Sequence, residues 1–266
     1  MLIGAGGLER LAAARVTVVG IGGVGAAAAE MLVRAGVGHL TIIDSDSVSE
    51  SNINRQLLAL HSTVGLPKTS VLSSRLLDIN PSLDLHTVSE YLHEDNIPSI
   101  IPGRSRPKNN ATLGLEGGPQ AERSGGANEV SVLPVETGLE EVPDFVVDAI
   151  DTLSPKIALI QYCLKEGIPM VSSMGSGAKI DATAVKVADI SKTFQCPLAH
   201  MLRKRLHKLG ITTGFQAVFS PELPRKDSLV IEESRNKKSQ VGTISYLPTV
   251  FGCVCAQVAV RHFLGI

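Results

Sequence analysis

Four glycines and one aspartate near the start of the chain have the types and spacing of a phosphate-binding turn. The stretch VVGIGGVGAAAAEML, residues 18 to 32, places G-x-G-x-x-G between a β-branched run and an alanine-rich run. Such glycines permit a tight turn and close backbone approach, and a helix N-terminus favours an anion. An aspartate after the next apolar run can hold ribose hydroxyls. The candidate nucleotide-binding residues are Gly20, Gly22, Gly23, Gly25 and Asp44.

The segment after this aspartate carries charge that a dinucleotide site does not need. Its polar and cationic residues are Asp46, Asn52, Asn54, Arg55, Gln56 and Lys68. Arginine offers a planar fork to phosphate oxygens, and lysine offers a mobile point charge. The glycines and Asp44 alone do not distinguish NAD from ATP. Two cations together favour a triphosphate, although either one alone would more often be an ordinary solvated charge.

Alternating strands and helices are predicted to position these residues. Apolar, β-rich runs predict strands at 15–20, 39–44, 82–92, 144–151 and 169–177. Runs ended by glycine or Asn-Pro predict helices at 24–35, 68–79 and 155–167. This alternation predicts an α/β fold, Rossmann-like and doubly wound, with a mostly parallel sheet and helices on both faces.

Residues 103–142 break the alternation, since glycine, proline, asparagine and serine are frequent there and no period persists. We interpret them as a disordered insertion in one domain that spans residues 1–266. An insertion of this kind favours a eukaryotic source.

Composition restricts the compartment and the partners. The chain has 266 residues, a formal net charge of -1 and 44% hydrophobic residues, which is ordinary for a globular protein. Four cysteines without a C-x-x-C pair, and an N-terminus unlike a signal peptide, favour the cytoplasm. A mitochondrial association would fit a eukaryotic source, but no targeting signal is evident. The apolar segment 246–266 contains Pro248, Gln257, Arg261 and His262, so a buried terminal helix is predicted rather than membrane contact.

Four motifs resemble the adenylating superfamily of ubiquitin-activating enzymes and bacterial ThiF/MoeB/HesA-like adenylyltransferases. They are GIGGVG, DSDSVSESNINRQ, VGLPK and VVDAIDT, and the resemblance covers nearly the whole chain outside the insertion. It implies that Asp44 holds the ribose, Asn52 and Arg55 the phosphates, and Lys68 the region of the α-phosphate. It also implies that Asp151 binds Mg²⁺. The implied catalytic residues are Arg55, Lys68 and Asp151, and the implied cofactors are ATP and Mg²⁺, with a monovalent cation as a further candidate.

The second half of the chain is similar to the tRNA threonylcarbamoyladenosine dehydratases. The similar stretches are IPMVSSMGSGAKIDATAVKVADISKTFQCPLAHMLRKRL, AVFSPE and GTISYLPTVFG. The resemblance implies ATP-dependent cyclisation, a net dehydration, of N6-threonylcarbamoyladenosine in tRNA through an acyl-adenylate. It also implies a homodimer and a candidate sulfur-relay partner. Cys196 stands where the family more often has an aspartate.

Three alternatives stay open at this point. The first is adenylation of the C-terminus of a ubiquitin-like or sulfur-carrier protein, although the two C-x-x-C pairs of the usual zinc site are missing. The second is a catalytically impaired binding module. Relatives carry an arginine upstream of a Leu-x-Gly that aligns with Leu2 to Gly4, and the sequence begins after that position. A nicotinamide oxidoreductase is the most distant alternative.

The segment 197–209 is predicted to form an amphipathic helix with a basic face. Its apolar stripe is Leu198, Leu202, Leu206 and Leu209, and its basic residues are Arg203, Lys204, Arg205, His207 and Lys208. The basic face could bind the tRNA backbone or could be an ordinary solvated surface, and the sequence favours neither.

Overall fold

A computed structural model describes residues 2–104, 141–225, 229–230 and 240–266. Its main strands are β1 (Arg15–Val19), β2 (His39–Ile43), β3 (Asp84–Val88), β4 (Phe145–Asp148), β5 (Met170–Ser173), β6 (Lys186–Asp189) and β7 (Gln216–Phe219). A separate short pair is formed by β8 (Leu229–Val230) and β9 (Gln240–Val241). The helices are α1 (Gly4–Ala13), α2 (Gly25–Ala35), α3 (Lys68–Ile79), α4 (Ile97–Ile100), α5 (Leu153–Glu166), α6 (Pro197–Lys208) and α7 (Tyr246–Leu264).

The seven main strands form one sheet in the order β3-β2-β1-β4-β5-β7-β6. Neighbouring strands are parallel except for β6, which runs antiparallel to β7 at one edge. The strand order reverses direction between β1 and β4, and ligands of doubly wound sheets bind in the crevice at such a point. The predicted Rossmann-like, mostly parallel fold is confirmed.

Alternate residues of each central strand enter two different cores. Val18 and Ile42 pack in the core beneath α2, α3 and α7, whereas Val19 and Ile43 pack in the core beneath α5 and α6. Parallel strands buried on both faces are expected to be mainly apolar, and the buried positions of β1 and β2 are apolar except for Thr17 and Thr41. Helices therefore cover both faces of the sheet.

The predicted helix boundaries agree closely with the structure. α2 and α5 end directly before Gly36 and Gly167. The φ angles of these two residues, 101° and 63°, favour glycine. α3 begins at Lys68 directly after Pro67 and ends before Asn80-Pro81.

Some predicted strand ends extend too far. The run predicted at 144–151 forms a strand only to Asp148, because its carboxylate accepts a hydrogen bond of 3.0 Å from the backbone N–H of Ile150 and turns the chain. The run predicted at 169–177 leaves the sheet after Ser173. The sequence patterns did not predict α1, β6 or β7.

Most of the predicted insertion, residues 105–140, lies outside the described residues. Its predicted boundary at 103 overlaps packed structure, since a Cβ on Gly103 would lie 2.4 Å from Oε2 of Glu166. At the other end, Val142 is half-buried against the core beneath α5.

The C-terminal helix α7 is apolar and long enough, by length and composition alone, to cross a membrane. In the structure it packs across α2, and Leu247, Phe251 and Cys255 are fully buried. A Cβ on Gly252 would lie 2.3 Å from the carbonyl oxygen of Val24, so glycine permits this close approach. The terminal helix therefore packs against the core along one face, while the cytoplasmic location and the lack of membrane contact stay predictions.

Candidate functional site

The glycine turn joins β1 to α2 at the carboxyl edge of the sheet. Gly20 has a φ of 82°, and a Cβ on Gly25 would lie 1.8 Å from the Gly20 carbonyl oxygen. Gly23 is packed between Pro248 and the backbone of Arg55. Gly22 differs, because a Cβ there would meet only the Gln56 amide at 3.5 Å. Three glycines are therefore required by the turn itself, and Gly22 is the one that remains available for a ligand to approach.

Asp44 connects the end of β2 to this turn. One carboxylate oxygen accepts from the backbone N–H of Ile21 at 2.8 Å, and the other accepts from the N–H of Asp46 at 2.8 Å. Burial raises the pKa of Asp44, although the charge of Lys68 acts in the opposite direction. Each carboxylate oxygen has a further lone pair, so hydrogen bonds from ribose hydroxyls remain feasible.

Lys68 lies beside the two aspartates although it is distant from them in sequence. Its ammonium Nζ lies 2.8 Å from Oδ2 of Asp46 and 3.9 Å from Oδ1 of Asp44. Its backbone N–H also donates to the Asp46 carbonyl oxygen at 3.0 Å. Lys68 is only 5% exposed. The structure therefore places a buried cation beside Asp44, the residue predicted to bind the ribose.

The polar segment 52–56 is ordered by its own side chains. Oδ1 of Asn52 accepts from the backbone N–H of Ser49 at 3.1 Å. Asn54 donates to the Thr243 carbonyl oxygen at 3.0 Å and accepts from the Arg55 guanidinium at 2.8 Å. Arg55 also donates to the Ser51 carbonyl oxygen at 2.7 Å. Asn52 and Asn54 therefore organise the loop that carries Arg55, a role that the sequence did not predict.

Gln56 differs from its neighbours because its amide oxygen Oε1 is buried and has no hydrogen-bond partner. The amide lies beside Gly22. Buried polar atoms are usually paired, so an unpaired one next to the glycine turn is consistent with a ligand-facing position.

Comparisons with known proteins identify the family of this chain. The ThiF family model matches residues 1–106 and 127–266. The chain belongs to the ThiF family. The residues that the match omits, 107–126, fall within the segment that we predicted to be an insertion.

Two curated proteins and a solved structure are similar to this chain over nearly its whole length. The tRNA threonylcarbamoyladenosine dehydratase of Bacillus subtilis is 36% identical, over 99% of this chain and 92% of that protein. Its Escherichia coli counterpart is 32% identical, over 99% and 91%. A crystal structure of E. coli tRNA N6-threonylcarbamoyladenosine dehydratase in complex with ATP superposes with a TM-score of 0.76, at 32% identity, and covers 99% of this chain and 91% of that one. The resemblance to the dehydratase branch is confirmed.

Asp151 of this ThiF-family chain lies beyond β4 and directly before the N-cap of α5. Its side chain is exposed, whereas Asp148 of the same D-x-x-D motif is fully buried. Among the described residues, no group of three or more His, Cys, Asp or Glu side chains could hold a metal ion. A single exposed carboxylate fits Mg²⁺ that is bound chiefly by phosphates and water, because Mg²⁺ rarely uses an all-protein cage.

Within the described part of this ThiF-family chain, no cysteine belongs to a group of three or more His, Cys, Asp or Glu side chains that could hold a metal ion. Cys253 is exposed and Cys255 is buried, so the two side chains face different directions. Burial raises the pKa of Cys255 to about 12, which makes its thiol unreactive. Cys163 is buried in the core, and Cys196 is buried at the N-cap of α6.

Asp181 and Asp189 cap local turns. Asp189 accepts hydrogen bonds from Ser191, Thr213 and Gly214 at 2.6–3.0 Å. Burial alone would raise the pKa of Asp189, but these hydrogen bonds outweigh burial and lower the pKa to about 2. Asp181 accepts from Thr183 in the same manner.

Proposed function

We propose that this ThiF-family protein is an ATP-dependent tRNA threonylcarbamoyladenosine dehydratase. The observation that carries the proposal is the crevice between β1 and β4. It combines a glycine turn, a ribose-type aspartate and a buried lysine in a chain that is similar to dehydratases along nearly its full length. A nicotinamide enzyme would need only the first two of these features.

ATP is proposed to occupy this crevice with its ribose at Asp44 and its phosphates over the glycine turn. Gly22 lets the phosphates approach the backbone, and the N-terminus of α2 adds a favourable dipole. The ammonium Nζ of Lys68 lies 3.9 Å from Oδ1 of Asp44, so its charge is placed near the phosphate that follows the ribose. Arg55 is held by Asn54 and Ser51 in the loop that follows β2, where it can pair with the outer phosphates.

The chemistry that follows from the family is carboxylate activation. The threonyl carboxylate of the modified adenosine attacks the α-phosphorus, which forms an acyl-adenylate and releases pyrophosphate. The neighbouring carbamoyl group then closes a ring on the acyl carbon and expels AMP. The attacking carboxylate is ionised at neutral pH, so the first step needs no strong general base. The protein's task is to hold two anions together and to neutralise charge that grows on phosphate oxygens.

Asp151 is the residue proposed to hold Mg²⁺, which would supply neutralisation of the phosphate charge. The exposed carboxylate, in the loop that leads from β4 to α5, supports this assignment. A monovalent cation is kept as a proposal without an assigned residue.

The rival proposal is adenylation of a ubiquitin-like or sulfur-carrier C-terminus, which would use the same crevice. The decisive experiment incubates the protein with ATP, Mg²⁺ and tRNA that carries threonylcarbamoyladenosine, followed by nucleoside mass spectrometry. Loss of one water from the nucleoside together with AMP formation is the expected result. AMP that forms only when a carrier protein is added would support the rival. ATP binding without any AMP would support an idle binding module.

The exposed basic face of α6 is the proposed tRNA contact. Lys204, Arg205, His207 and Lys208 are exposed, and Leu202 and Leu206 are buried as predicted. Two members of the predicted pattern behave differently. Arg203 is half-buried and donates to Thr193, so it stabilises the fold, and Leu209 is 48% exposed beyond the helix end. The cations in the last turn of α6 also complement the helix dipole, and this is a reason for their presence that does not depend on tRNA.

Reversing Lys204 and Arg205 to glutamate is expected to weaken tRNA binding and to reduce its salt dependence, because each lost phosphate contact lowers the slope of log K against log salt by about one. Filter binding across a salt series measures both quantities. The control is Lys165→Glu, an exposed lysine in the last turn of the neighbouring α5. Equal behaviour of the two variants would exclude this face as the tRNA contact.

A homodimer is also proposed, supported by exposed apolar side chains next to the crevice. Leu57, Leu60, Val64 and Leu66 are 38–56% exposed in one segment. Clustered exposed apolar residues commonly mark protein interfaces. Light scattering measures the molar mass and would contradict the proposal if it gave a monomer at all concentrations. A sulfur-relay partner is a further proposal that depends on the family alone.

A further inference from the structure

A fully buried ionic cluster lies beneath the loop that carries Asp151. The ammonium of Lys156, on α5, lies 2.7 Å from Oδ2 of Asp148 at the end of β4. Ser172, on β5, donates to the same oxygen at 2.6 Å. All three side chains are 0% exposed. The pattern of residues 155–167 predicted a helix but gave no special role to its lysine.

Stability alone does not account for this cluster. Removing two charges from water costs about as much as their attraction returns, and apolar replacements of buried ion pairs are often neutral or stabilising. A lysine in the core beneath α5 therefore requires another explanation. Its other contact supplies one, because Nζ also donates to the Ile150 carbonyl oxygen at 2.8 Å.

Both backbone polar groups of Ile150 are held by this cluster. The carbonyl oxygen accepts from Lys156, and the N–H donates to Oδ1 of Asp148 at 3.0 Å. Asp151 is the next residue along the chain. Fixing the peptide groups on either side of Ile150 restricts the direction in which the Asp151 side chain can leave the backbone.

The same loop is packed against the glycine turn. The N–H of Ala149 donates to the Val19 carbonyl oxygen at 2.8 Å. A Cβ on Gly20 would lie 3.0 Å from the Ala149 carbonyl oxygen, and one on Gly25 would lie 3.2 Å from the Ala149 side chain. The cluster, the loop and the phosphate turn therefore form one connected unit.

We propose that Lys156 is a positioning residue that sets the Asp151 carboxylate against the phosphate turn. Lys156 is 0% exposed and acts through the Ile150 carbonyl group rather than by touching the ligand. The proposal rests on the proposed function, in which Asp151 holds the Mg²⁺ that accompanies ATP. The buried pair is explained by geometry rather than by the strength of its attraction.

The test uses the double variant Lys156→Met/Asp148→Asn, which removes both charges and so leaves no buried ion unpaired. The asparagine oxygen can still accept from the N–H of Ile150, and its amide NH2 can donate to the Ser172 hydroxyl, while the bond to the Ile150 carbonyl oxygen is lost. Calorimetry measures ATP affinity with and without Mg²⁺, and a thermal melt measures folding. The double variant is expected to melt near the parent and to lose about 10- to 100-fold of the Mg²⁺-dependent affinity, as for other residues that orient a metal ligand. ATP affinity without Mg²⁺ is expected to stay unchanged.

Two further variants separate the possible failures. Ser172→Ala removes a bond to Asp148 but leaves the Ile150 carbonyl group held, so it should keep the Mg²⁺ response. Asp151→Asn should lose that response, and combining it with the double variant should add little, because the two act on one group. An unaffected Asp151→Asn would contradict the proposed role of Asp151. The role proposed for Lys156 would be overturned if Asp151→Asn lost the Mg²⁺-dependent ATP affinity while the double variant kept it. A double variant that fails to fold would overturn that role as well.

Discussion

Lys68→Met is expected to slow AMP formation roughly 100- to 1000-fold at saturating ATP, as with the loss of one fixed donor from an oxyanion site. Lys68 is 5% exposed and its ammonium lies 3.9 Å from the ribose-type carboxylate of Asp44. In such a dry position a charge interacts with phosphate oxygens more strongly than it would in water. Charge grows on those oxygens during attack at the α-phosphorus, so the loss should be greater in kcat than in ATP affinity. Pre-steady-state measurement of AMP gives the rate of its formation, and calorimetry gives the affinity for ATP.

The control for this prediction is Lys165→Met, which removes an exposed lysine at the far end of α5. Asp46→Asn is a second comparison, because Lys68→Met also leaves Asp46 without its ion-pair partner at 2.8 Å. A much smaller loss is expected for Asp46→Asn. If it matched Lys68→Met, the ion pair rather than the ammonium charge would be responsible. A normal rate for Lys68→Met would remove Lys68 from the proposed mechanism.

Gly25→Ala is expected to destabilise the protein by about 3 kcal/mol and to abolish measurable ATP binding, because its Cβ would lie 1.8 Å from the Gly20 carbonyl oxygen. The obstacle is backbone rather than a mobile side chain, so the glycine turn itself must move. A cost of that size corresponds to a fall in Tm of roughly 6 to 12 °C for a chain of this size. A thermal melt and ATP calorimetry measure the two effects.

Gly22→Ala is the matched control in the same turn. Its Cβ would make an ordinary contact of 3.5 Å with the Gln56 amide, so the Tm should stay near that of the parent. ATP affinity should nevertheless fall, since Gly22 is the residue that lets phosphates approach. Equal melting temperatures for the two variants would show that the turn is not constrained as described. Unchanged ATP affinity in Gly22→Ala would place the phosphates elsewhere.

Much of the fold was predictable because its signals are local. The β-branched runs of β1 and β2, and the glycines that end α2 and α5, determine structure through neighbouring residues. The antiparallel strand β6 was not predictable in the same way. It is a four-residue edge strand, Lys186–Asp189, that is identified by pairing with β7 rather than by its own composition.

Strand ends at the site were predicted less well than the strand interiors. The run 144–151 contains apolar residues on both sides of Asp148, and nothing local indicates that the carboxylate turns the chain there. Similarly, Asn54 stays a predicted nucleotide contact, but the sequence did not indicate that its amide also pairs with Thr243 and Arg55. Thr243 is distant in sequence, so only folding brings it beside Asn54.

By itself the sequence determined the parallel α/β plan, the glycine turn and the membership of the ThiF family, since all three depend on residue types at fixed short spacings. Only the tertiary structure decided that Lys68 lies beside Asp44, that Gly22 alone among the turn glycines remains open to a ligand, and that Lys156 holds the loop before Asp151. Each of these is a contact between segments that different strands bring to one edge of the sheet. Such contacts depend on strand order and register, which no short stretch of residues specifies.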